Sequence, residues 1–60
     1  MKTSFLVYKF HKNGHVYSIV AENRTMARSR IEFEFRMDLT GAKFEEMQKN
    51  GTVLLTGIEK

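Results

Sequence analysis

The sequence predicts a single small α+β domain over residues 1–60, of order β-β-α-α-β. Its expected architecture is a three-stranded antiparallel sheet of order 2-1-3 with helices packed on one face. Three observations predict it. Residues 5–21, FLVYKFHKNGHVYSIVA, are two alternating runs joined by Asn13-Gly14; residues 24–39 are rich in Ala, Met, Arg and Glu without proline or glycine; residues 52–58, TVLLTGI, are aliphatic and β-branched. A chain this short holds one core and buries only about 60% of the surface its unfolded form exposes. With no cysteine and two histidines, its supports are packing or self-association.

Asn-Gly tolerates positive φ at both central positions of a type I′ turn, which fixes the register of the first hairpin. Leu6 then faces Ala21, Tyr8 faces Ile19, Phe10 faces Tyr17 and Lys12 faces His15. Because side chains alternate along a strand, these residues share one side, taken as the core face. Phe5, Val7, Lys9, His11, Val16, Ser18 and Val20 share the other, which is apolar at one end and basic at the other.

Asn23 is a helix cap and Arg24 to Leu39 a helix, with Ala27, Ile31, Phe35 and Leu39 recurring every four residues. Met26, Phe33 and Met37 make a second apolar line. Ile31 to Leu39, IEFEFRMDL, also alternates strictly and by period alone argues strand; composition and the cap favour the helix. Gly41 is expected to cap it, Lys43 to Lys49 to form a short second helix closed by Asn50-Gly51, and the final strand to lie beside the first.

Charge is uneven: residues 1–30 carry a formal +5 and residues 31–60 a formal −2, giving +3 in all. Arg24 and Arg28 stand in the first half of the helix, where the macrodipole disfavours cations, and Glu34 and Asp38 stand in the second. Pairs at i and i+4 (Arg28 with Glu32, Arg30 with Glu34, Glu32 with Arg36) would partly neutralise the patch. A helix start bearing unneutralised arginines suits phosphate or carboxylate. The first functional expectation is therefore a non-enzymatic module that contacts nucleic-acid phosphates, DNA or RNA, through Arg24, Arg28 and Arg30 with Lys9, Lys12 and His11.

The competing expectation is a protein-interaction or homodimerising accessory protein whose interface is Phe5, Val7, Val16 and Val20. Its size and single-module layout are similar to those of small accessory proteins of phages and mobile elements, although no motif carries that likeness. Catalysis is not expected, because no Ser-His-acid or Cys-His set can be assembled. Neither a metal nor another cofactor is expected, since His11 and His15 fall on opposite sides of the hairpin. No segment has the length of a membrane span or the pattern of a signal peptide, and a cytoplasmic location is expected.

Overall fold

Positive φ is needed at both positions of the first turn, and Asn13 (φ 52) and Gly14 (φ 79) supply it. β1 (Leu6–Lys12) and β2 (His15–Ala21) pair antiparallel in the expected register, from Leu6 opposite Ala21 to Lys12 opposite His15. The computed structural model describes residues 5–60; Lys2, counted in the charge above, lies outside them.

α1 (Arg24–Phe35) begins where the sequence places it. The Asn23 side-chain oxygen accepts from the Met26 amide at 2.9 Å, satisfying one of the amides a helix start leaves open. Asn23→Ala is expected to cost about 1 kcal/mol, lowering Tm by roughly 4–8 °C in a domain of this size, while Asn23→Asp retains the cap. Thermal denaturation followed by circular dichroism reads both; an unchanged Tm for the alanine variant would show that the cap contributes nothing.

The helix stops earlier than expected. Arg36, not Gly41, adopts the left-handed conformation after the last turn (φ 52), and the Met37 amide donates to the Glu32 carbonyl at 3.1 Å. The Glu32 carboxylate then accepts the Leu39 amide at 2.7 Å. Leu39 is fully buried, but from the connection after the helix, as is Ala42. Phe35 and Phe33, extrapolated as apolar lines on a longer helix, are left exposed, Phe35 leaning on Tyr17 with ring centroids 5.1 Å apart.

Residues 43–49 overturn the second helix. Lys43–Met47 is a strand, β3, and β4 (Val53–Ile58) pairs with it antiparallel. The sheet therefore has four strands in the order β2-β1-β3-β4 with one helix, not three strands with two, and β3 rather than the final strand lies beside β1. The cause is tertiary. Lys, Glu and Met favour helix in isolation, but Phe44 alternates onto the core face opposite Phe10 while Lys43, Glu45 and Met47 turn to the other. Asn50-Gly51 closes this second hairpin, with Gly51 at φ 97, the Gln48 amide donating to Thr52 O at 2.8 Å and the Thr52 amide to Asn50 Oδ1 at 2.9 Å.

The core lies between α1 and one face of the sheet. Ala27 and Ile31 of the helix meet Tyr8, Phe10, Ala21 and Phe44, with Leu39 and Ala42 closing one end. Burial, then the neighbouring Glu46 carboxylate, pushes the Tyr8 hydroxyl up to about 12, so it stays protonated at any ordinary pH. The helix lies against β2. Over β3, the Arg24 guanidinium covers the Phe44 ring, 4.1 Å from its centroid.

Candidate interaction surface

Strand pairing sorts the face opposite the helix into three rows that cross the sheet. Val20, Val7, Met47 and Val53 form one, entirely apolar; Ser18, Lys9, Glu45 and Thr56 form the next; Val16, His11, Lys43 and Ile58 form the third. No described element covers this face. At neighbouring-strand spacings of about 4.8 Å, the apolar row extends roughly 14 Å from edge to edge. Val20 and Val53 at its ends are exposed, and Phe5 beside β1 is also exposed.

Of the interface residues expected from sequence, Val7 and Val20 stand together in this row. Val16 is separated from them by the polar row of Lys9 and Ser18. Met47 and Val53 were missed because residues 43–49 read as helix. Their signal was present: Asn50-Gly51 repeats the turn chemistry of Asn13-Gly14 between two runs of similar length.

β4 ends the sheet. It carries no charge and no proline, and Val53, Leu54, Leu55 and Ile58 are each 48% to 58% exposed. Soluble proteins ordinarily blunt such an edge with lysine, proline or a covering loop. The one irregularity is an extra β4 residue where Glu46 faces Leu55 but Met47 faces Val53. The opposite edge, β2, exposes only Val16 and Val20 among its large apolar residues.

The basic candidates do not gather on one surface. Lys9 and His11 project from the outer face, where His11 Nε2 lies 3.1 Å from Glu45 Oε1. Lys12 points to the helix side and donates to the carbonyls of Asp38 and Thr40. Arg30 lines a groove on the flank of α1 with Ile19, Phe33 and Phe35.

Arg24 and Arg28 share one acid that no motif in the sequence singles out. Glu59, its side chain only 4% exposed, lies with Oε1 2.8 Å from Arg28 Nη1 and Oε2 2.9 Å from Arg24 Nε. The Arg24 contact is ionic and lacks hydrogen-bond geometry. Arg28 also donates to Glu32 at 3.0 Å, to the Thr40 hydroxyl at 2.9 Å and to the Lys60 carbonyl at 2.9 Å. Glu32 and Glu59 together raise the Arg28 pKa further above its ordinary range. Asp38 is held below the usual carboxylate range, first by the Thr40 amide and then by its hydroxyl.

Of the three i,i+4 pairs considered from sequence, only Arg28 with Glu32 forms among the described residues. The reversed charge of the helix start is thus compensated from the far end of the chain. An open cleft of about 680 Å³ beside these groups is walled by Arg24, Arg28, Phe44, Gly57 and Glu59, so its cations already have a carboxylate between them.

No cluster of three or more potential metal-ligating His, Cys, Asp or Glu residues occurs among the described residues, and no described helix is long and apolar enough to cross a membrane. Comparison with protein-family models, with characterised proteins and with solved structures finds no match to this chain.

Proposed function

We propose that this chain is a non-enzymatic, self-associating protein-interaction module whose contact surface is the uncovered side of its sheet, including the open β4 edge. The observation that carries this reading is the continuity of apolar surface from Val20 through Val7 and Met47 to Val53, where it joins the exposed side chains of β4. A domain with so small a core gains from covering such a surface with a second copy.

The phosphate-binding reading has weaker support. Its two principal donors, Arg24 and Arg28, are engaged with Glu59, and its six residues are divided between the two sides of the sheet.

Sedimentation equilibrium across the micromolar range tests the proposal. The expected result is a concentration-dependent dimer that tightens with added salt, because each copy carries a formal +3 and salt screens the repulsion between them. A monomer at every concentration and salt would overturn it. Binding of a DNA or RNA oligonucleotide that weakens steeply with salt would favour the phosphate reading instead.

A further inference from the structure

We infer that two copies pack their open sheet faces together about a two-fold axis that runs parallel to the strands, between β1 and β3. This rests on the self-association reading and specifies its geometry.

The cross-sheet rows place Lys9 and Glu45 at the centre of the face, on adjacent strands and of opposite charge. A two-fold axis along the strands keeps each row opposite itself and exchanges β1 with β3 and β2 with β4. Lys9 of each copy then meets Glu45 of the other, twice in the dimer. In the apolar row Val7 meets Met47 and Val20 meets Val53; in the other rows Ser18 meets Thr56 and Val16 meets Ile58.

The alternative two-fold that keeps the strands of the two sheets aligned runs across them. It opposes Lys9 to Lys9 and Glu45 to Glu45, and turns the apolar Val7 and Met47 onto His11 and Lys43. Like charges directly opposed are destabilising, so the charge pattern selects the first axis. Shifting that axis onto β1 or β3 opposes Lys9 or Glu45 to itself, and shifting it to the next gap leaves half of each face uncovered. Ser18, Lys9, Glu45 and Thr56, which fix the choice, lie in unbroken register; the extra residue of β4 comes beyond them.

A second copy is the occupant because the face complements itself in charge and in apolar surface. Its corners, Val20, Val16, Val53 and Ile58, are 46% to 58% exposed, and each meets an apolar corner of the other copy around the central ion pairs. The same rotation brings Lys43 beside His11, which lies 3.1 Å from the Glu45 carboxylate. Two lysines against one glutamate leave each face positive, in keeping with a dimer that tightens as salt is added. At strand spacings of about 4.8 Å and row spacings of about 6.8 Å, the face measures roughly 19 Å by 20 Å. That is roughly 400 Å² per copy, half of a standard interface, so the expected dissociation constant is micromolar.

Sedimentation equilibrium at fixed ionic strength tests the inference, with circular dichroism to confirm that each variant folds. Lys9→Glu opposes two pairs of like charges and is expected to raise the dimer dissociation constant at least about tenfold, although it lowers the general repulsion between copies. Arg36→Glu makes the same change of charge at the exposed end of α1 and is expected not to weaken the dimer. Glu45→Lys alone is expected to act as Lys9→Glu does. An equimolar mixture of the two is expected to recover the dimer, because each variant supplies the charge the other lacks.

Ser18→Glu combined with Thr56→Lys reads the axis without setting like charges together inside one copy, since Ser18 neighbours Lys9 and Thr56 neighbours Glu45. About the proposed axis the new charges meet as two opposite pairs, and the dimer is expected to tighten at least about threefold. About the crossed axis they meet as like pairs and weaken it. A dimer indifferent to both Lys9→Glu and Glu45→Lys, as a contact confined to the β4 edge would be, would overturn this inference while leaving self-association standing. So would a dimer weakened by Ser18→Glu with Thr56→Lys, whereas a strictly monomeric wild-type chain would overturn both.

Discussion

Replacement of Glu59 by alanine is expected to destabilise the domain by about 3 kcal/mol, the lower end of what is lost when one member of a buried ion pair is removed. The lower end applies because the two arginines are not themselves buried: their side chains are 42% and 23% exposed and regain water once the acid is gone. A 60-residue domain has roughly 3–9 kcal/mol in total, so this loss removes about a third of its stability or more. In thermal terms it is a fall of roughly 12–24 °C. Glu59→Gln keeps an acceptor for Arg28 Nη1 but loses the charge, and about half the loss is expected. Arg24→Ala removes an exposed ionic contact and the stacking on Phe44, together worth about 1 kcal/mol. Urea denaturation of the single and double variants separates the pairwise coupling from the cost of each truncation. A loss below about 0.5 kcal/mol for Glu59→Ala would show that Arg24 and Arg28 relax into solvent without penalty, and that the acid does not organise the helix start.

This expectation was out of reach of sequence reasoning for a definite reason. The misplaced charges of the helix were legible: Arg24 and Arg28 open it, and its first turn contains no acid. What answers them is a glutamate 31 residues beyond Arg28. Only the pairing of β3 with β4, and of β3 with β1, brings Glu59 to that place. A compensation made through the sheet cannot be seen until the sheet order is known.

Where local signals and tertiary demands agreed, the sequence was readable. Asn13-Gly14 fixed a register that holds at every pair of the first hairpin, and Asn23 caps the helix as its position implied. The final strand was visible in its aliphatic, β-branched composition. Failure began at Phe35, where strict alternation and four-residue spacing compete in one segment. The chain satisfies neither to the end, because Leu39 reaches the core from a connection rather than from a helix face. KFEEM was misread since its alternation is masked by two glutamates: Glu45 lies outward beside Lys9 and Glu46 inward beside Tyr8. With that strand unread, half of the apolar row and the identity of the edge strand stayed hidden.

Gly57→Ala is the complementary test of the β3–β4 side, and its sign depends on which of two effects wins. Alanine in a strand interior is ordinarily favoured over glycine by roughly 0.5–1 kcal/mol, because less backbone entropy is lost on folding. Against this, a β-carbon at position 57 would lie 2.7 Å from both Cε2 and Cζ of Phe44, well inside contact distance. The Phe44 ring has little room to retreat, being 5% exposed, packed in the core and covered by Arg24 at 4.1 Å. Overpacking of this kind costs about 1–3 kcal/mol, so steric strain outweighs the entropic gain and a net loss of about 1–2 kcal/mol is expected. Phe44→Leu vacates the space, and in its background Gly57→Ala is expected to become neutral or stabilising. A double-mutant cycle by urea denaturation reads this as a coupling of at least about 1 kcal/mol. Stabilisation by Gly57→Ala alone would instead mean that the ring shifts at no cost and that the Arg24 contact does not hold it.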